Sequence, residues 1–150
     1  MRPLAFALLM IAVGPCDRLI DPNLDPDHVV TFSPGGARLD VSVAVTDDAR
    51  RRGLMGVEAL SPDEGMAFLW EGPVEASFWM KDTLIPLSIA FVGEDGRIVT
   101  IRDMEPCHGD PCPTYGADAP FVMAIEANAG YFDEAGIDTG HRAKLGARDG

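Results

Sequence analysis

Basic residues are scarce in this 150-residue chain: 12 Lys and Arg stand against 24 Asp and Glu, for a formal net charge of −12. Phosphate binding needs clustered cations, so the balance argues against nucleic acid or an anionic membrane surface as a partner. Two sources of the acidity stand, solubility outside the cell and a salt-rich habitat. Long apolar runs are missing too. The N-terminal stretch Leu4 to Val13 has ten residues, against the roughly 20 that a membrane-spanning helix requires. Histidine and cysteine number three each: His28, His108, His141, and Cys16, Cys107, Cys112. There is no Gly-x-Ser-x-Gly, no His-Glu-x-x-His and no phosphate-cradling glycine loop. The reading therefore leans away from an enzyme and expects no cofactor, although a site can also be assembled in space from distant residues. No internal repeat or low-complexity run occurs.

What is present begins with an address. Arg2 followed by the short apolar run reads as an export signal over residues 1–15. The rival, a buried N-terminal helix or strand, is not continued by the polar, proline-containing stretch that follows. Cys16 comes directly after Ala12-Val13-Gly14-Pro15 and is a lipidation candidate. It resembles a bacterial lipoprotein site, with Pro15 atypical before the cysteine; a freely secreted product and a retained tether are the alternatives. The expected location is extracytoplasmic, in the cell envelope or secreted, with membrane attachment through lipidated Cys16 as one form. Removing the signal takes away Arg2 and no acid, giving −12 − 1 = −13, and leaves 150 − 15 = 135 residues. That length fits one domain, which buries roughly two thirds of its unfolded surface.

Export favours disulfides, and an odd cysteine then needs an explanation. Pairing Cys107 with Cys112 and lipidating Cys16 uses all three. The turn-rich loop Cys107-His108-Gly109-Asp110-Pro111-Cys112 can bring the two sulfurs together. A metal site is the rival, because two cysteines and a histidine fall within six residues; zinc sites usually show a second ligand pair, and none follows.

Residues 16–36 read as a linker. Asp21, Asn23 and Asp25 imitate the start of a calcium loop, but Pro26 stands where the glycine is needed and Phe32 where the last acid belongs. A single domain is expected over residues 37–146, with strand signals starting from Val29. Ala37, Leu39, Val41, Val43 and Val45 alternate with smaller or polar residues, the period of a half-buried strand. Thr46 is an N-cap candidate for a short helix with aspartates in its first turn and arginines in its last, stopped by Gly53. Further strands are expected over 66–70, 77–80, 87–92, 97–101, 121–127 and 141–145. Glu71-Gly72-Pro73 is expected to break the first of these. Gly93-Glu94-Asp95-Gly96 reads as a hairpin turn. Residues 104–120 read as a long loop. Asn128 is expected to cap a second short helix from Tyr131 to Ala135. The expected fold is strand-rich α+β: a mostly antiparallel, barrel-like sheet with two short helices.

Four segments carry a resemblance: Arg52-Gly53-Leu54-Met55-Gly56; Gly65-Met66-Ala67-Phe68-Leu69; Phe78-Trp79-Met80-Lys81-Asp82-Thr83-Leu84-Ile85-Pro86-Leu87; and Ala124-Ile125-Glu126-Ala127-Asn128-Ala129-Gly130 with Gly136-Ile137 and Gly140. In this order, over about residues 37 to 145, they resemble the family called domain of unknown function 192. The resemblance implies a small strand-rich fold, often exported or membrane-anchored in bacteria and archaea. It implies no reaction or ligand, and hence no catalytic residues. This chain has Asp82 where the family often has Asn, and His141 where it commonly has Asp.

The binding candidates are Trp79, Lys81, Asp82, Thr83 and Tyr115. On a strand Trp79 and Lys81 share one face, and Phe78 and Met80 the other. One side then joins the core while the other offers an aromatic ring beside polar groups, which suits an envelope module that binds a small ligand, a glycan or an envelope protein. The bland alternative is that Trp79 closes one end of the sheet and Asp82-Thr83 only shape a turn. Lys81 beside Asp82 is an activated amine only if desolvated, and such a pair is more often a turn contact. A second function class is a copper or other metal carrier using Met104, Cys107, His108 and Cys112; methionines more often fill core gaps.

Overall fold

The computed structural model describes residues 24–149. The export signal, Cys16 and the first part of the expected linker, residues 16–23 with Asp21 and Asn23, lie outside them. Among the described residues the chain runs β1 (His28–Ser33), β2 (Arg38–Ala44), α1 (Asp47–Arg52), β3 (Glu64–Val74), β4 (Ser77–Trp79), β5 (Leu87–Val92), β6 (Ile98–Met104), β7 (Thr114–Gly116), β8 (Phe121–Asn128), α2 (Tyr131–Glu134) and β9 (Arg142–Ala147). The fold is the expected strand-rich one with two short helices.

Seven strands form a curled, half-barrel sheet in the order β6-β5-β8-β3-β2-β1-β9. All neighbours run antiparallel except β2 and β3. A parallel pair needs a crossover, and α1 with the segment after it supplies one. Thr46 caps α1 by accepting from the Ala49 amide. Arg50 fastens the helix to the sheet, donating to the Val45 carbonyl at 2.6 Å and the Leu69 carbonyl at 2.7 Å. The two edge strands meet at one end. Ile98 donates its amide to His141 and Gly140 donates to Ile98, both at 2.8 Å, and Ala143 donates to Gly96 at 3.0 Å. These bonds draw β6 and β9 together where Arg97 bridges Arg142.

Every strand of the large sheet sends side chains into a first apolar cluster, which is therefore the inside of the curl: Phe32, Leu39, Val41, Ala67, Val92, Ile98, Ile125 and Ala143 among them, plugged by Phe132 and Ile137. The outer face of β3, β5 and β8 carries a second cluster built on Phe68, Leu87, Ile89, Phe91, Phe121 and Ala124. It is covered by Leu54, Val57, Met80 and the two-stranded β4–β7 sheet. Strands with both faces covered lose the clean alternation of a half-buried strand. Thus β5 is buried at all six positions.

Several expectations shift. The folded unit begins inside the expected linker, because β1 pairs with both β2 and β9. In β2, Leu39 and Val41 point inward as expected, yet Ala44 is buried in the outer cluster and Val45 is 60% exposed. Glu71-Gly72-Pro73 does not end β3. The pairing with β8 shifts between Leu69 and Val74, and this irregularity takes up the glycine and proline. The loop 104–120 contains β7. Asn128 does not cap α2; Gly130, at φ 82°, occupies that position. The Asn128 amide donates instead to the carbonyls of Leu60 at 3.3 Å and Ser61 at 3.0 Å.

Gly65 shows why one glycine belongs to a motif. It pairs with Ala127, and a Cβ on it would collide with the backbone carbonyl of Glu126 and press on Leu39. The obstacle is backbone, so no side chain can swing aside. Gly65→Ala is expected to lower unfolding stability by about 2 kcal/mol, the cost of overpacking a rigid core, read as a lower denaturant midpoint. A midpoint within error of the unsubstituted protein would refute the close approach of β3 and β8.

Candidate functional site

The conspicuous segment from Phe78 to Leu87 folds as the end of β4, a turn and the entry to β5. Alternation along β4 survives. Phe78 packs edge-on against Phe68 with ring centroids 5.0 Å apart, and Met80 is fully buried. Trp79 faces out, 45% exposed, and the Lys81 ammonium lies 5.3 Å from the centre of its ring. That is within cation–π range. No carboxylate forms an ion pair with this ammonium among the described residues.

The turn is held by its backbone. Thr83 donates its amide to the Met80 carbonyl at 3.2 Å. Asp82 takes the left-handed conformation, φ 55°, which Asn and Asp tolerate better than other non-glycine residues. Its carbonyl accepts from the Gly56 amide at 2.9 Å. Two of the resembling segments thus meet at this bond, Leu54 being buried beneath.

The candidates separate here. Thr83 is buried and donates its hydroxyl to the Lys81 carbonyl at 3.3 Å; it shapes the turn and is withdrawn from the surface. Tyr115 stands opposite Phe78 across β4 and β7 and packs on the outer cluster with it. Its hydroxyl accepts from the Glu105 amide at 3.4 Å. Trp79 stands opposite Thr114 instead. What remains at the surface is exposed Trp79 and Asp82 with half-buried Lys81 between them. Cys107 and Cys112 form a disulfide with Cα atoms 5.6 Å apart, and Lys81 bridges Cys107 along the backbone. The stapled loop is thereby fixed beside the platform.

The same geometry breaks up the candidate metal set. Joined sulfurs are not thiolates, and the thiolate is the form that binds metal. Met104 is fully buried in the outer cluster while His108 is exposed. Among the described residues no three His, Cys, Asp or Glu are grouped to hold a metal ion.

The residue that sequence reasoning passed over is Glu126. It lies on β8 between Met66 of β3 and Ile89 of β5, on the face of the outer cluster, and is 4% exposed. Desolvation pushes its carboxyl up to about 8. A carboxyl that keeps its proton at neutral pH is a hydrogen-bond donor, and such groups gather at functional sites. Ser42 lies on the same face, one strand beyond Met66, with a buried hydroxyl that has no partner among the described residues. The signal was a single acid inside the apolar run Phe121-Val122-Met123-Ala124-Ile125-Glu126-Ala127, the pattern of a strand covered on both faces.

With this geometry in place the comparisons acquire meaning. The sequence profile of the DUF192 family, described as Uncharacterized ACR, matches residues 30–145. A crystal structure from Novosphingobium aromaticivorans, described as a protein of unknown function, is 31% identical at a TM-score of 0.73, covering 89% of this chain and 94% of that one. One from Sinorhizobium meliloti, with a provisional description as a transcription regulator, is 30% identical at a TM-score of 0.71, covering 79% and 92%. No curated protein matches.

Glu126 sets a pH dependence. An unfolded glutamate releases its proton near 4.5, the folded one near 8. Between these values the folded state binds more protons, so stability is full below the lower one and falls as pH rises through the upper. The slope approaches about 1.4 kcal/mol per pH unit. Urea midpoints at several pH values are expected to show this fall, and Glu126→Gln to remove it. A slope unchanged in the variant would show that another group carries it.

Proposed function

Because this chain belongs to the DUF192 family, whose description names no activity, we propose its function from its own surface: an exported envelope module that binds an acidic glycan at Trp79 and Lys81. One observation carries the reading. In a strongly acidic protein, an ammonium with no ion pair among the described residues lies 5.3 Å from the ring centre of a half-exposed indole. An aromatic face favours the apolar side of a sugar ring. The ammonium adds selectivity for a carboxylate on that ring. Asp82 beside them supplies an acceptor for sugar hydroxyls. The backbone bonds of the turn and the disulfide-stapled loop fix the segment that carries the pair, and preorganisation lowers the cost of binding.

The proposed address follows from chemistry of the same loop. Disulfides persist in oxidising compartments, and the short N-terminal apolar run suits export. Lipidation of Cys16 would hold the domain near the membrane, with the following residues as a spacer. The regulator description stays with the Sinorhizobium protein; a nucleic-acid backbone needs clustered cations, which are scarce here, whereas one sugar carboxylate needs a single ammonium.

Titration of the protein with oligogalacturonate, followed by tryptophan fluorescence, is the direct test, with a neutral oligosaccharide as control. Saturable binding is expected for the acidic sugar. Trp79→Ala and Lys81→Ala are each expected to weaken it at least about tenfold, roughly 1.4 kcal/mol, with the denaturant midpoint little changed. Equal response to both sugars, or a large stability loss in Trp79→Ala without sugar binding, would defeat the reading. The address is tested separately by intact mass of the protein from native membranes. A diacylglyceryl-modified Cys16 supports anchoring, and an unmodified mature chain rejects it.

A further inference from the structure

A small cleft of about 280 Å³ opens between the segment before β3 and the start of α2, lined by Leu60, Pro62, Asn128, Ala129, Tyr131 and Glu134. It shares no residue with the Trp79 platform. Its floor is built. The Ala129 amide donates to Pro86 at 3.3 Å, and the Gly130 amide donates to the Ser88 hydroxyl at 2.9 Å, which itself donates to Asp103 at 2.6 Å. Asn128 ties the Leu60 wall down through both of its amide hydrogens. The Tyr131 hydroxyl donates to the Arg38 carbonyl at 2.9 Å.

These bonds use up both side-chain donors of the lining. What the side chains leave to a ligand are acceptors: the Asn128 carbonyl oxygen, the remaining lone pair of the Tyr131 hydroxyl, and the Glu134 carboxylate. A negative charge stands nearby as well. Burial, and then the charge of Asp63, push the Tyr131 phenol above its ordinary value, so Asp63 is within electrostatic reach of the ring. Leu60, Pro62 and Ala129 make much of the lining apolar, and Tyr131 stands beside them with its ring packed on Phe32 and Phe132.

We infer that this cleft is a binding site for a small organic ammonium ion, a primary amine on a short apolar body. The side-chain acceptors and the charges of Glu134 and Asp63 disfavour a carboxylate or a phosphate, and a neutral alcohol would satisfy the acceptors without the charge. The aromatic ring and the Glu134 carboxylate take the ammonium, while Leu60 and Pro62 take the alkyl chain. A cleft of this size admits a molecule with few heavy atoms and excludes a polymer chain.

The test is a titration of the isotope-labelled protein with n-butylammonium chloride at constant ionic strength, with n-butanol and sodium butyrate as neutral and anionic controls. Saturable shifts are expected at the Asn128 side-chain amide, the Tyr131 ring and the Leu60 methyls, for the ammonium alone. Glu134→Gln, an exposed change, is expected to leave the remaining spectrum in place and weaken binding at least fivefold. Shifts that never saturate, that spread over the acidic surface, that n-butanol reproduces, or that Glu134→Gln leaves unchanged would each overturn the assignment.

Discussion

The strands β3, β5 and β8 are apolar on both faces, and the rest of the molecule is arranged around that constraint. A sheet with one wet face needs only one layer behind it. This one needs two. The inner layer is provided by the curl of the sheet itself, drawn together where the ends of β6 and β9 exchange backbone bonds. The outer layer has to be supplied by chain that would otherwise be loop: the segment after α1, the β4–β7 pair and the turn at Asp82.

That outer layer explains where chemistry appears. A cover strand has one face against the core and one face free, so burying Phe78 and Met80 obliges Trp79 and Lys81 to face solvent. The disulfide and the bond from Gly56 to Asp82 then make the cover rigid. The ring and the ammonium are therefore displayed by the same packing that seals the core. Beneath the cover the cost falls on Glu126, whose carboxyl is confined between Met66 and Ile89. Holding a neutral acid there is far less costly than holding a charge, and that preference is the source of its raised pKa.

Much of this was legible in the chain. β5 was read at its observed bounds because a short apolar run flanked by a proline and a glycine turn has few alternatives. Thr46 was legible as a cap because its role depends on the three residues after it. Asn128 was misread for a related reason. Its neighbours suggest a cap, yet its partners, Leu60 and Ser61, are nearly 70 residues earlier, with separations of 68 and 67. Tyr115 and Thr83 looked like surface ligands because polarity is visible in sequence while the facing strand is not. β1 was partly lost to a linker because a chain rich in Asp and Pro precedes it.

Local pattern suffices for the class of fold, the alternation that turns Trp79 and Lys81 outward, the glycines of the turns and the pairing candidates among the cysteines. All of these depend on bonds to near neighbours or on a period of two. Contacts across the fold were needed to show that the sheet is covered on both faces, that Gly65 has no room for a side chain, that Glu126 is almost cut off from water, and that residues 60–62 meet Tyr131 and Glu134 across a cleft. Each of those is a contact between segments distant in the chain, and such contacts leave no periodic trace in the residues that make them.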